Sequence, residues 1–257
     1  MQSVYLKVLH CGATRGRRVR LAHDVNGAKN LIIDPEFSGT SIVVVGSFNP
    51  AIFHPSWLIS CGVEPNVDSE SIKVDVVHQE VSRFDVDGTS YFVNQDRLQV
   101  LTESAPWVHI LDKVSRIVLE LLPHTPLRAF GINRDVHFRV RSPEARIELG
   151  RKLVPLEPWG EFGAQIAGQP PSDPGGLLSL TLRGAEKDGD FSVTKNVRVE
   201  PSAKIQQSDG IYMQANFHYQ GPDDGASSEQ VSRKLQDKFQ FRINEAESIF
   251  EQIMRIS

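Results

Sequence analysis

The sequence predicts an α+β fold in which antiparallel strands pack against long amphipathic helices. Two groups of short segments, over about residues 72–103 and 178–219, alternate apolar and polar residues, and this period of two is typical of half-buried strands. Each group is followed by a segment with apolar residues three and four positions apart, over residues 107–122 and 231–253, which is typical of a helix with one apolar face. Because such a sheet and such a helix bury each other, the two patterns together predict sheets packed on long helices.

The predicted elements occur in the same order twice. A strand, a short helix, an antiparallel meander and a long helix are predicted over residues 40–124, and a similar order returns over residues 125–257. We therefore predict two α+β halves within one compact domain, preceded by an N-terminal extension at residues 1–39. This order resembles the tandem half-repeats of the TATA-box-binding-protein-like and helix-grip folds, a likeness of fold that does not define a function. Whether the two halves share one sheet is left open.

Individual strands of the first half are marked by apolar runs and turn signals. Ile42–Val45 is an apolar run of strand length. Pro55 suits the first turn of a short helix, which Gly62 ends. The meander that follows contains two turn signals, Asp87-Gly88 and Asn94-Gln95-Asp96, so we expect hairpins at both places.

Capping residues predict where the helices begin. Ser104 is the predicted N-cap of the first long helix, with Pro106 in its first turn. Ser142-Pro143 predicts the start of a short helix in the second half. Ser227 and Gln230 have the spacing of a capping box at the start of the closing helix.

Composition and charge exclude several classes of protein. The chain has 257 residues, 40% hydrophobic and 23% charged, which is ordinary for a globular protein, and its net charge of −4 gives no reason to expect nucleic acid as the partner. Its apolar runs fall short of the roughly 20 residues that span a bilayer, and the N-terminus has no apolar stretch of signal-peptide length. Cys11 and Cys61 do not make a disulfide framework, so we expect a cytoplasmic protein, and whether the two cysteines ever pair is left open.

The densest polar cluster lies in the extended segment 127–140. Alternation places Val136 and Phe138 on one face of this segment, and His137 and Arg139 on the other. Because guanidinium groups bind phosphate and carboxylate through paired hydrogen bonds, the cluster predicts an anion-binding site. The last predicted strand adds two polar residues, so the predicted ligand-binding residues are Arg134, His137, Arg139, Asn216 and His218. The alternative is a charged strand face whose arginines pair with neighbouring aspartates and glutamates.

Motifs for catalysis are missing from the sequence. It contains no nucleophile elbow, no phosphate-binding loop and no metal-ligand cluster. His78 and Glu80 lie two apart on a predicted strand, where they would begin a metal site or an acid–base pair, or else belong to a polar outer face, which we favour. The basic run Arg15–Arg20 is either a binding arm or a solvated extension, and we favour the extension. We therefore predict no catalytic residue, no metal site and no cofactor.

Three segments carry a resemblance to a known family: Phe48-Asn49-Pro50-Ala51-Ile52-Phe53-His54-Pro55-Ser56-Trp57, Gly131-Ile132-Asn133-Arg134-Asp135, and Leu153 to Trp159. Together they resemble a sporadically distributed bacterial family of hypothetical proteins, over roughly residues 41–254. The resemblance supplies no activity, cofactor or catalytic residue. The patchy occurrence of the family is typical of mobile or defence-associated genes, so the resemblance implies a bacterial protein in such a setting.

These observations favour a non-catalytic module that binds a protein partner within a bacterial complex, in a setting of defence or toxin neutralisation. The first alternative is a binding protein or enzyme that acts on a phosphorylated small molecule, in a crevice between sheet and helix lined by Arg134, His137 and Arg139. The second alternative is nucleic-acid binding, which the tandem-sheet analogy supports and the net charge opposes. An exposed sheet edge would favour a homo-oligomer, and we expect no association with a membrane.

Overall fold

The described chain contains one antiparallel sheet of nine strands, in which apolar and polar residues alternate. The computed structural model describes residues 34–256, except residues 66, 171–174, 207 and 223–224. The strands are β1 (Phe37–Gly46), β2 (Ile72–Val77), β3 (Val81–Val86), β4 (Thr89–Asn94), β5 (Arg97–Thr102), β6 (Leu127–Arg139), β7 (Leu180–Asp188), β8 (Phe191–Pro201) and β9 (Gly210–Gln220). Their order in the sheet is β2-β3-β4-β5-β1-β6-β9-β8-β7. Strands from residues 40–124 and from residues 125–257 therefore belong to a single sheet, joined where β1 pairs with β6.

The α-helices of the described residues complete an α+β fold, as predicted. They are α1 (Pro55–Ser60), α2 (Val108–Arg116), α3 (Pro143–Leu153), α4 (Gly160–Ala167) and α5 (Ser228–Met254), and a π-helical segment (Ile117–Leu121) extends α2. Three short 3₁₀ turns lie at Pro50–Ile52, Ser69–Ser71 and Glu157–Trp159. None of the helices in the described part of the chain is both long and apolar enough to cross a membrane.

The core lies between one face of the sheet and the helices α1, α2, α3 and α5. Alternate strand residues such as Ile42, Val100 and Ile132 are fully buried against these helices. The long helix α5 has 27 residues, which corresponds to about 40 Å, and it runs over β6 and β9. Residues of the opposite parity face away from the core, and we call that side of the sheet the open face.

Two of the three predicted helix caps are confirmed and one is wrong, and α1 begins at Pro55 as predicted. Ser142 caps α3, and Ser227 and Gln230 form the predicted capping box at the start of α5. The predicted cap Ser104 is instead held in the turn after β5, where its N–H donates to Thr102 Oγ1 at 3.2 Å. The helix α2 therefore begins only at Val108 and has no side-chain cap.

The N-terminal extension predicted at residues 1–39 is described only in its last residues. Strand β1 begins at Phe37, so residues 37–39 take part in the sheet. The basic run Arg15–Arg20 lies outside the described residues, as does Cys11.

Candidate functional site

The parity of β6 separates the predicted ligand-binding residues onto two faces of the sheet. Successive residues of a strand point to opposite sides, so residues three apart never share a face. Arg134 therefore lies on the core face, while His137 and Arg139 lie on the open face. Arg134 does not join them in a single clamp, and this corrects the grouping that the sequence suggested.

Arg134 is held inside the core by α5. The residue is 2% exposed, and its guanidinium donates an Nε–H to Glu247 Oε1 at 3.1 Å. The same guanidinium lies over the ring of Trp107, 4.6 Å from the ring centroid. Burial lowers the pKa of Arg134 and raises the pKa of Glu247, and the attraction between the two side chains opposes both shifts. The pair joins the sheet to the closing helix and has no access to a ligand on the open face.

His137 is covered on the open face by the segment that connects β8 to β9. The residue is 6% exposed, its Nδ1 forms a hydrogen bond of 2.7 Å with Ser202 Oγ, and its ring lies 4.7 Å from that of Tyr212. Burial lowers the pKa of His137, the positive charge of Lys204 lowers it further, and Glu103 opposes the shift. The imidazole is thus favoured in its neutral form, which does not attract an anion.

Arg139 is already neutralised by carboxylates. It donates to both carboxylate oxygens of Asp209, at 2.7 Å each, and it binds Glu36 on its other side. These hydrogen bonds raise the pKa of Arg139 above its usual value. The structure therefore matches the alternative interpretation of this cluster, a charged strand face with acidic neighbours.

Asn216 and His218 lie on the open face but far from His137. Asn216 belongs to a row of polar side chains that crosses four strands: it donates to Asn133 Oδ1 at 2.6 Å, Asn133 donates to Ser41, and Asn196 donates to Asn216. Tyr212 is the partner of His137 on β9, and His218 is six residues further along that strand. At about 3.3 Å per residue, the two histidines are about 20 Å apart. The four open-face residues therefore do not converge on one ligand.

The pair His78 and Glu80 is also placed differently from the prediction. Both residues lie in the turn between β2 and β3, where the Glu80 N–H donates to His78 Nδ1 at 3.3 Å. They cap a hairpin and do not share a strand face. Among the residues that the structure describes, no group of three or more His, Cys, Asp and Glu side chains is arranged to hold a metal ion.

A hydrophobic groove lies at the β7 edge of the sheet, and the sequence patterns did not predict it. The sheet extends beyond α5, so the helix-facing leucines of β7 have only the end of α5 beside them. We call this concavity of about 400 Å³ the edge groove, and its lining residues are Leu153, Leu180, Leu182, Val197, Val199, Ile249, Gln252, Ile253 and Ile256. Leu182 is 65% exposed and Leu178, just before the strand, is 82% exposed. The alternation of apolar and polar residues predicted that these leucines share one face of a strand. Only the order of strands in the sheet shows that this strand lies at an edge.

The two edges of the sheet differ in length and regularity. Strand β7 has nine residues and pairs with β8 without interruption. Strand β2 has six residues, and its register with β3 shifts between Val74 and Val76. Bulges and short strands protect a sheet edge from further pairing. Among the described strands, only the edge strand β7 is therefore both long and regular in its register.

The open face also carries two arginines beside an aromatic ring. The guanidinium carbons of Arg83 and Arg97 lie 5.1 and 5.0 Å from the ring centroid of Phe92. These residues line a shallow depression of about 390 Å³, together with Asp75 and Asp85. Neither arginine is within 4.0 Å of a carboxylate oxygen in the described part of the chain. They are thus available to an anionic group.

Comparison with known proteins does not assign the chain to a family. No protein-family model and no curated protein matches it. The functional assignment therefore rests on the geometry of the open face, the edge groove and the free edge of β7.

Proposed function

We propose that the chain is a non-catalytic module that binds another polypeptide chain along β7 and the edge groove. The observation that carries this proposal is the exposure of Leu182, at 65%, on a long and regular edge strand. Contiguous apolar surface of this kind marks interaction sites in proteins. A free strand edge is in addition a template on which a further strand is added.

The shape of the groove favours a polypeptide over a small molecule. The edge groove is open along β7, whose outward N–H and C=O groups have no strand partner among the described residues. An added strand would satisfy these backbone groups, and its alternate side chains would enter the groove above Leu180 and Leu182. One occupant thus covers both the polar edge and the apolar surface.

Charged residues limit the apolar surface to the first half of β7. Further along the strand, Glu186 accepts hydrogen bonds from Lys195 at 2.8 Å and from the buried Arg242. Asp188 binds Lys234 at 3.0 Å. Interfaces commonly have such an apolar centre with a polar rim, so the distribution of charge supports an interaction site.

The wider setting belongs to the same proposal. We propose a bacterial complex, located in the cytoplasm and connected with defence or toxin neutralisation. We also propose that the fold is a tandem duplication of the TATA-box-binding-protein-like or helix-grip kind. Strand order supports the duplication, because β1 pairs with β5 and β6 pairs with β9. In each half, the last strand therefore pairs with the first strand.

The test is co-purification from the native host with one variant at each sheet edge. Leu182→Asp places a charge in the edge groove, and Val74→Asp is the matched control, because Val74 is 54% exposed on the opposite edge. A second, differently tagged copy of the chain is expressed as well, so that self-association is scored. We expect the wild type and Val74→Asp to retain a stoichiometric polypeptide partner and Leu182→Asp to lose it. Equal retention by all three chains would refute the proposal.

A second candidate function is the binding of a phosphorylated small molecule on the open face, beside Phe92. The observation in its favour is that Arg83 and Arg97 have no carboxylate partner in the described residues. Thermal unfolding with a panel of nucleotides and sugar phosphates tests it, with Arg83→Gln/Arg97→Gln as the control. A ligand at 100 times its Kd adds about 2.7 kcal/mol to the free energy of unfolding. Stabilisation that persists in the double variant would contradict this site.

A further inference from the structure

We propose that the chain bound along β7 is β7 of a second copy, which makes the protein a symmetric dimer with one continuous sheet. This inference rests on the proposed function and names the partner at the same surface. The two copies of β7 run antiparallel, and the two-fold axis is perpendicular to the sheet and passes between the two Leu182 residues.

Symmetry restricts how β7 pairs with its own copy. Residues directly opposite each other in an antiparallel pair point to the same face of the sheet. A strand that meets its copy across a perpendicular two-fold axis is therefore centred on one residue, which lies opposite itself. The helices of both copies then lie on the same side, and the two edge grooves face each other. Such an interface is isologous, so each apolar surface is covered by the same surface of the other copy.

The side chains of β7 select the register centred on Leu182. In this register Leu182 meets Leu182, Leu180 meets Gly184, and Thr181 meets Arg183. No two like charges are opposite each other. Gly184 leaves room for the leucine, because the nearest atom to a Cβ built there is Lys195 Cβ at 4.0 Å.

Other registers bring unfavourable pairs together. Centring on Gly184 places Leu182 opposite Glu186, and centring on Arg183 places two guanidinium groups opposite each other. Centring on Ala185 places Arg183 opposite Lys187. Centring on Thr181 keeps leucines together but leaves only residues 180–182 of each β7 in the pairing, whereas the Leu182 register pairs residues 180–184.

A second copy fits this surface better than an unrelated strand because the groove requires apolar side chains at a fixed spacing. An unrelated strand would have to supply apolar residues at the required spacing, whereas the copy supplies Leu180 and Leu182 by symmetry. Ile256, just after the end of α5, is exposed, lines the same groove and would be covered together with them. The opposite edge offers no equivalent, because the register of β2 is interrupted.

The experiment is a cysteine scan of the full chain together with a measurement of its mass in solution. Light scattering after size exclusion is expected to give the mass of a dimer for the wild type and of a monomer for Leu182→Asp. Leu182→Cys is expected to form a disulfide-linked dimer on mild oxidation, since residues at the axis have Cα atoms about 4.5–5.5 Å apart. Gly184→Cys is the matched control, because in this register the two Gly184 residues are displaced by four positions, about 13 Å. The wild type reports any cross-linking through Cys11 or Cys61.

Each outcome decides the proposal. A monomeric wild type whose Leu182→Cys variant gives no more dimer than the wild type would overturn it. The proposed function would nevertheless stand if Leu182→Asp still abolished binding of a different polypeptide from the native host. Cross-linking through Gly184→Cys instead of Leu182→Cys would overturn the assigned register. If Leu182→Asp proves unfolded by circular dichroism, the Leu182→Cys measurement alone decides.

Discussion

The buried pair Arg134–Glu247 gives a quantitative prediction about the stability of the fold. We expect Arg134→Met and Glu247→Met each to lower the free energy of unfolding, and the double variant to be more stable than either single variant. Each single change leaves one charge in the core without its partner. Without Glu247, Arg134 would keep, among the described residues, only the carbonyls of Gly39 and Asp135, at 3.0 Å each, and the ring of Trp107.

The expected magnitudes follow from the burial of the two groups. Burial is the largest influence on both pKa values, and it disfavours the charged form of each side chain more than their attraction favours it. Removing one partner of such a pair costs about 3–5 kcal/mol, whereas replacing both by apolar residues of similar size is often neutral. Additive effects would give a loss of about 6–10 kcal/mol in the double variant, and we expect less than about 3 kcal/mol.

Urea unfolding followed by circular dichroism measures these differences. With a slope of about 3 kcal/mol per M, each single variant should unfold at a urea concentration lower by about 1–1.7 M. The slope itself should stay constant, so that the shift reports stability. A double variant whose loss equals the sum of the two single losses would refute the reasoning, because it would show that the charges do not depend on each other.

Three further predictions concern single residues. His137→Gln should be less sensitive to acid than the wild type. Because the pKa of His137 in the folded protein lies below its usual 6.5, protonation favours the unfolded chain, and the wild type loses stability as the pH falls below 6.5. Unfolding midpoints measured above and below pH 6.5 test this difference. Gly46→Ala should cost about 1–3 kcal/mol in urea unfolding, because its Cβ would lie 2.6 Å from the Pro126 carbonyl oxygen and 2.7 Å from Leu127 Cδ2; an unchanged midpoint would contradict the overpacking. Ser227→Ala should cost about 0.5–2 kcal/mol by removing half of the capping box of α5, with Ser227→Asp as a control that keeps a capping oxygen.

Local sequence patterns predicted most of the strands and helices, because the spacing of buried apolar residues differs between a strand and a helix. The period of two located the meander over β2–β5, and the turn at Asp87-Gly88 lies between β3 and β4 as expected. The start of α2 was predicted wrongly, since Ser104 has the right side chain for a cap but its backbone is held by Thr102. Pairing across long stretches of sequence, such as β1 with β6, has no local signal and could not be predicted.

The candidate site was harder to predict, although part of the information was present. The parity of β6 alone separates Arg134 from His137, so the sequence contained the reason why these residues do not form one clamp. What it did not contain was the partner of each charge. Asp209 is 70 positions from Arg139, and Glu247 is 113 positions from Arg134. An unpaired arginine in a sequence pattern is therefore weak support for an anion site until its neighbours in space are known.

The closing helix accounts for part of the exposed apolar surface at the β7 edge. Its apolar stripe is wider than the sheet beneath it requires, since Phe239, Ala246 and Phe250 are buried in the core while Ile249 and Ile253 line the edge groove and are only partly covered. A helix that served only to cover its own sheet would have polar residues at those two positions. The excess of apolar residues on α5 matches the exposed leucines of β7 across the same groove, so both sides of the groove contribute apolar surface that the described chain does not cover by itself. This excess of apolar residues on α5, which the sequence shows once the strand order is known, is the reason why we propose that a second polypeptide completes the layer.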